Sequence, residues 1–305
     1  ENYVAKLYPK VASHERDRLS AEFASLDFLW KHGLVSVPRP VAFDTTLGCA
    51  VFEHVHGQEI PPTSITESDI DQAARCLVSI KELCGEEGSG KLPTAAEACF
   101  SVQAVFQNIG GRLARLQALP DSGSLHPNLR ADLREFLQRD YFPAFSQIRQ
   151  WCELTLEGWG TSAYRQLAWS ERTLSPSDFG FHNALRRPTG EIVFLDFEYF
   201  GWDDPAKMIS DFLLHPAMNL TEHLKQRFAD NILCGFTGYE DLVERLTIVY
   251  PLFGLKWCLI ILNEFLPEKI SRREFASKTP VDIGEVQSIQ LKKASQLLDR
   301  VVGEY

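Results

Sequence analysis

Residues 2–8, reading NYVAKLY, alternate apolar and polar side chains, which predicts a strand because successive strand residues face opposite sides. From residue 15 to 32 the period changes. Leu19, Phe23, Leu26, Phe28 and Leu29 recur at helical spacing, and Gly33 follows as the expected C-terminal cap. Val37, Pro38, Arg39 and Pro40 break the pattern. Two short β runs, residues 41–43 and 49–52, then flank a turn at residues 44–48. Beyond His56 and Gly57 the helical period takes over, at residues 68–84, 100–119 and 129–156. Brief β signals return at residues 173–174 and 192–195, and helix is expected for most of residues 205–302. There is no internal repeat or low-complexity tract.

This order predicts an α+β architecture of two unequal lobes. Residues 1–57 form a small β-rich lobe with one helix, a connector lies near residues 53–58, and residues 58–305 form a large helical lobe holding a small β element. With 305 residues, 45% hydrophobic and 24% charged, the chain has ample material for buried cores. The chain opens at Glu1, without an initiator Met and inside an apparent strand, so further sequence is expected upstream.

The formal charge of -10, with no cluster of Lys or Arg, argues against a nucleic-acid partner. An acidic balance suits a cationic small-molecule partner, and equally serves solubility. The seven cysteines are scattered and form no C-x-x-C pair, as expected of reduced thiols in a cytoplasmic protein. The apolar stretch from Pro251 to Leu266 is short for a membrane span and carries Lys256, Asn263 and Glu264. It reads as a core helix, and no membrane partner is expected.

Candidate chemistry concentrates in residues 174–185 (LSPSDFGFHNAL) and 191–199 (EIVFLDFEY). Asp178 precedes Asn183 by five positions, and Asp196 follows four apolar residues. Phosphoryl transfer asks for these residue types. One carboxylate orients the attacking hydroxyl and accepts its proton, while an amide oxygen and a second carboxylate hold Mg²⁺ against the phosphates. An Asp and an Asn five apart on one loop can flank one site, and a short hairpin returns Asp196 beside them.

D-x-x-x-x-N followed by D-F-E resembles the catalytic and metal loops of the aminoglycoside phosphotransferase and choline kinase family, which shares the protein-kinase fold. Alone the first motif is weak, since Asp and Asn are common turn residues. With the apolar strand and Gly201, Trp202, Asp203, Asp204 and Pro205 behind it, the match is specific. The resemblance runs through nearly the whole chain and implies a bilobal fold truncated at its start. It implies Asp178 as catalytic base, Asn183 and Asp196 as Mg²⁺ ligands, and ATP or GTP as co-substrate. Val4, Ala5 and Lys6 resemble the strand whose lysine binds the α- and β-phosphates, with Glu22 on the next helix as its ion-pair partner. Residues 51–57 resemble the hinge, where backbone groups around Glu53 and Val55 would meet the purine.

The implied activity is transfer of the γ-phosphate to a hydroxyl of a small molecule, such as an amino sugar or an amino alcohol. Little room for a peptide-docking segment follows Asp196, which points away from protein acceptors. The sequence departs from the family in two places. Pro176 and Ser177 stand where the family has His-Gly, the His being a loop anchor, and the two strands and phosphate-covering loop expected before Lys6 do not appear. The first departure motivates the alternative of a nucleotide-binding pseudokinase without transfer activity.

Neighbouring residues have plainer readings. His182, inside the motif, is expected to support the loop rather than act as base. Phe194, Phe197, Tyr199, Phe200 and Trp202 could form a cage for a quaternary ammonium, though such a run more often packs a core. Glu198, Asp203, Asp204 and Asp211 are candidates for meeting a cationic substrate, with helix capping and salt bridges the commoner use. Asp204 before Pro205 has the form of an N-cap with Pro at N1.

Overall fold

A computed structural model describes residues 2–8, 16–119, 127–270 and 282–304. Residue 15 of the first expected helix and residues 271–281 of the last helical stretch lie outside the described residues. In chain order the elements are β1 (Tyr3–Leu7), α1 (Arg18–Lys31), β2 (Pro40–Asp44), β3 (Cys49–Glu53), β4 (Gln58–Glu59), α2 (Glu67–Glu82) and α3 (Val102–Gln117). There follow α4 (Pro127–Glu135), α5 (Phe142–Gly158), β5 (Thr173–Ser175), β6 (Ala184–Arg186), β7 (Ile192–Phe194) and β8 (Gly201–Asp203). Four helices complete the list: α6 (Pro205–Leu214), α7 (Glu222–Gly235), α8 (Leu242–Ile261) and α9 (Ile283–Glu304). Chain contacts divide these into two compact units, Glu1–Ala98 with Leu167–Val243, and Cys99–Gln166 with Glu244–Tyr305.

Among the described residues, all eight strands fall in the first unit. β1, β3 and β2 form an antiparallel sheet in that order, with Lys6 opposite Ala50. Helix α1 starts at Asp17, whose side chain accepts from the Ser20 N–H, and stops as the Gly33 position predicts. Gly33 takes φ +85°, its N–H bonds the Trp30 carbonyl, and the Leu34 N–H reaches back to Leu29. These two bonds satisfy carbonyls that the helix end would otherwise leave bare. Helix α2 opens with a reciprocal cap between Thr66 and Asp69, and α7 is tied to it through the Arg227 guanidinium on both oxygens of Asp71.

A second antiparallel sheet, β4–β6–β7, pairs Ala184 with Phe194 and Arg186 with Ile192. Strands β5 and β8 make a third, and β8 was not anticipated, because three residues in a Gly-Trp-Asp context give no alternation to read. The expected aromatic core is present in this unit. Phe179 stacks near Phe194 (4.3 Å between centroids), and Phe212 on Phe228 (3.8 Å). Phe194, Phe197, Phe200 and Trp202 are buried and Tyr199 is half-buried, so four of the five aromatics pack as core rather than lining a cage.

The second unit is helical. The stretch 129–156 is not one α-helix, since α4 and α5 are joined through a π-helical segment, Phe136–Tyr141. The extra residue per turn rotates Tyr141 so that its hydroxyl donates to the Leu255 carbonyl of α8 at 3.0 Å. In α8 and the turn after it, Leu252, Phe253, Leu255, Cys258, Leu259, Leu262 and Phe265 are buried, as a core helix requires. Among the described residues, Leu242–Phe265 is one helix long and apolar enough to cross a membrane, and 67% of its most apolar window is buried in protein. All seven cysteines are free.

Strand β8 is bound along one side by residues 93–96. The Trp202 N–H donates to Pro93, and the Ala95 and Ala96 N–H groups donate to Trp202 and Tyr199. A Cβ on Gly201 would lie 2.2 Å from the Pro93 carbonyl oxygen and 2.6 Å from the Ala95 nitrogen. Both are backbone atoms held by those bonds, so they cannot swing aside. Gly201→Ala is expected to lower stability by about 3 kcal/mol, the cost of overpacking a filled site. Urea denaturation followed by circular dichroism measures it, and an unchanged midpoint would refute the packing assigned to β8.

Candidate active site

Strand β1 and helix α1 deliver the first pair of candidates. The Lys6 ammonium lies 2.7 Å from Glu22 Oε2 and 2.6 Å from Asp196 Oδ1, with Glu198 at 3.5 Å. Glu22 is not a solvated helix carboxylate, being only 3% exposed. It also accepts from the Tyr8 hydroxyl and from the Phe197 N–H, directly after Asp196. Burial pulls the Lys6 pKa down, but the Glu22 and Asp196 carboxylates overcome it and raise it, which keeps the ammonium charged. Burial pushes the Glu22 carboxyl up, with Lys6 and Tyr8 opposing. Glu198 is itself held by Arg18 at 3.0 Å, so it faces a cation of the chain's own.

The second group is built by the loop after β5 and by the β6–β7 hairpin. Asn183 sits one residue before β6 and Leu195 one residue after β7, and the Leu195 N–H donates to the Asn183 carbonyl at 2.8 Å. The hairpin register therefore carries Asn183 to the residue preceding Asp196. Asn183 Nδ2 donates to the Asp178 carbonyl at 3.1 Å. That bond turns the amide so that Oδ1, the metal-binding atom of an Asn, is the end not engaged by it. Burial pushes the Asp178 carboxyl up, but the hydrogen bond from His182 and the nearby His215 outweigh it, and its pKa falls below the ordinary carboxylate value. Burial, and then the neighbouring His182, bring His215 down to about 4.

Two residues of this region hold backbone conformations that side chains rarely adopt, Ser177 at φ +69° and Asp196 at φ +64°. Each costs on the order of 1–3 kcal/mol and persists only where surrounding structure enforces it. At Ser177 the enforcement is visible. Its hydroxyl donates to the Ala96 carbonyl at 3.2 Å and lies 3.3 Å from the Lys207 ammonium, while its N–H donates to Ser175 Oγ. Lys207 is 1% exposed and lies 2.6 Å from Asp203 Oδ2 and 3.2 Å from Asp211 Oδ2. Burial would depress this ammonium, yet the two carboxylates overcome it and raise its pKa. Asp203 and Asp211 thus serve Lys207, and Asp204 caps α6 by accepting from the Ala206 N–H at 2.9 Å. The plainer reading of these three acids is the one their contacts support.

Lys6, Glu22 and Asp196 are accordingly in direct contact, and Asp178, Asn183 and the backbone beside Asp196 are joined by hydrogen bonds. Glu53 and Val55 are held by other contacts. The Glu53 N–H donates to Arg39 and its carboxylate pairs with Arg187 at 3.6 Å, while Val55 is buried at the start of the connector to β4.

A family profile described as "Phosphotransferase enzyme family" matches residues 1–240, well over half of the chain. The chain belongs to the phosphotransferase enzyme family. No curated protein matches the sequence. Solved structures similar to this phosphotransferase-family chain include choline kinase LicA from Streptococcus pneumoniae, at 17% identity and a TM-score of 0.55, covering 98% of this chain and 86% of that one. An ethanolamine kinase of Plasmodium vivax aligns at 14% identity and a TM-score of 0.58, covering 98% and 77%. The AMP-bound spectinomycin phosphotransferase APH(9)-Ia aligns at 12% identity and a TM-score of 0.64, covering 99% and 87%. At these identities the likeness is one of fold. It is the protein-kinase-like α+β arrangement, with a small N-terminal β-sheet and a mostly helical remainder.

Ser177 stands where the resemblance leads one to expect Gly, and its φ is one that Gly adopts readily. Sequence reasoning missed Lys207 and His215 as neighbours of this loop. The one available signal for Lys207 was an apolar helix face carrying a lysine four residues after Asp203 and four before Asp211. Lys207→Met is expected to cost about 3–5 kcal/mol by leaving the buried Asp203 and the half-buried Asp211 carboxylates uncompensated. Lys31→Ala, which breaks an exposed pair with Asp27, should cost no more than about 0.5 kcal/mol. Urea titrations of the two variants compare them, and equal midpoints would refute the role given to Lys207.

Proposed function

We propose that this protein transfers the γ-phosphate of ATP or GTP to a hydroxyl of a small molecule, with an amino sugar or an amino alcohol as the acceptor class. The observation that carries the reading is the ordered convergence of Lys6, Glu22 and Asp196 in one ion cluster, with Asp178 and Asn183 bound through the loop beside it. Structures of the same fold named as choline kinase, ethanolamine kinase and spectinomycin phosphotransferase, two of them holding AMP, support the acceptor class and the nucleotide.

In this reading Asp178 accepts the proton as the acceptor oxygen attacks the γ-phosphorus and the bond to the departing nucleoside diphosphate breaks. Its pKa, lowered by the neighbouring imidazoles, keeps it ionised and ready at neutral pH. Asn183 Oδ1 and the Asp196 carboxylate are hard oxygen donors fit to hold Mg²⁺, which when bound neutralises charge on the phosphates. Lys6, already drawn to Asp196, would exchange that contact for the α- and β-phosphates, with Glu22 retaining it from behind. The backbone of Glu53 to Val55 would receive the purine, at a hinge between a nucleotide lobe of residues 1–57 and a helical lobe of residues 58–305.

The competing reading, a nucleotide-binding regulator without transfer, draws on Pro176 and Ser177. The bonds from Ser177 to Ala96 and Lys207 weigh against it, since the loop is anchored without the family His. Asp178→Asn should reduce turnover by roughly 10²–10⁴-fold, measured as ADP release from Mg·ATP across aminoglycosides, choline, ethanolamine and sugars. EDTA should abolish it. Wild-type turnover in the variant removes the base assignment, and nucleotide binding with no turnover on any acceptor favours the regulator.

A further inference from the structure

Two histidines converge on one oxygen of Asp178. His182 Nε2 lies 3.2 Å from Asp178 Oδ1, and His215 Nε2 lies 3.7 Å from the same atom. The two imidazoles are stacked almost parallel, 3.9 Å between centroids and 6° apart. One comes from the loop itself and the other from the residue ending α6, so a local and a distant element meet at this carboxylate.

The protonation of these rings follows from their partners. A carboxylate only accepts, so the His182 nitrogen facing it is an N–H donor. His215 Nδ1 accepts from the Ala217 N–H at 3.2 Å. A neutral imidazole has one N–H, and with Nδ1 accepting, that hydrogen lies on Nε2, the nitrogen directed at Asp178. Asp178, His182 and His215 do bring three ligand atoms within 4.8 Å of one another, a spacing a transition metal could use. Metal at His215 Nε2 would need that nitrogen's lone pair and put the ring hydrogen on Nδ1, against the Ala217 N–H. The cluster is therefore one hydrogen-bond donor, His182, on a carboxylate, with His215 stacked on that ring and its Nε2 aimed at the same oxygen from 3.7 Å, beyond hydrogen-bond reach. His182 cannot be the base either, because its inward nitrogen is donating.

Gly180 makes the arrangement fit. A Cβ there would lie 2.8 Å from His182 Nδ1 and 2.6 Å from Met218 Sδ, and Met218 is buried three residues beyond His215. Any larger residue at 180 would displace the His182 ring from its stack.

We propose that His182 and His215 act together as positioning residues, the His182 Nε2–H holding one rotamer of Asp178 through Oδ1 and the stacked His215 ring fixing that imidazole in place, so that Oδ2 is turned toward the acceptor hydroxyl. This deepens the phosphotransferase reading and rests on Asp178 being its base. A carboxylate held in this way loses no rotamer freedom when the acceptor arrives, which is the advantage of an oriented base over a mobile one.

Two measurements on the intact chain test it. Nitrogen-15 NMR of labelled histidine, at about pH 8 where an ordinary imidazole is neutral, should show both rings with hydrogen on Nε2. In Asp178→Ala, His182 should lose that preference while His215, tied to Ala217, keeps it. A Nδ1–H form of either ring in the wild type would overturn the proposal. In the ADP-release assay, His182→Ala and His215→Ala should each lower kcat by about 10–100-fold, the usual effect of losing a group that orients another, with KM for ATP little changed. His182→Gln, whose amide N–H reaches toward the same oxygen, should recover most of the loss. Wild-type kcat in both alanine variants, or no recovery with Gln, sinks the positioning role. Asp178→Asn run alongside separates the two ideas: if it is inactive while the histidine variants are normal, only the positioning fails. If Asp178→Asn turns over normally, the base reading itself has failed.

Discussion

A desolvated ammonium organises the part of this protein that carries the candidate site. Lys207 is held by Asp203 at the end of β8 and by Asp211 one turn further along α6. It also touches Ser177, the residue before the proposed base. A buried charge of this kind tolerates little displacement, because any movement exposes one partner to an uncompensated low-dielectric environment. The strand, the helix and the loop are thereby kept in one relation, and the left-handed backbone at Ser177 is maintained without a glycine.

The second constraint is the β6–β7 hairpin. Its three-residue register, closed by the Leu195 bond to Asn183, sets Asn183 against the residue that precedes Asp196. Asp196 then leaves the strand at φ +64°, and its carboxylate meets Lys6 from β1. Strain at Ser177 and at Asp196 brackets the candidate chemistry on both sides. Strained backbone accumulates at functional sites because rigid surroundings are needed both to hold it and to hold reacting groups.

Much of the site was readable before any fold was known. The five-residue interval from Asp178 to Asn183, the apolar run before Asp196 and the order of Lys6 and Glu22 are local facts of the chain. Gly33 and the Asp204–Pro205 pair were legible as helix punctuation for the same reason, since caps depend on two or three adjacent residues. The less legible features depend on residues far apart. Strand β8 exists because β5 pairs with it and residues 93–96 bind its other side, and the π-helical turn at 136–141 was invisible to a 3.6-residue period.

The sequence by itself pointed to the phosphotransferase enzyme family, because phosphoryl transfer demands particular donor atoms and the chain displays residues of those types in order. It also determined the succession of β-rich and helical segments, through hydrophobic period. Tertiary structure alone decided what the ambiguous groups do. The acids at 203 and 211 turned inward to a lysine, and most of the aromatic run became a core. His182 found its partner in His215, thirty-three positions away. An ionisable side chain has several uses of similar energy in solution, and only the neighbours brought to it by folding choose among them.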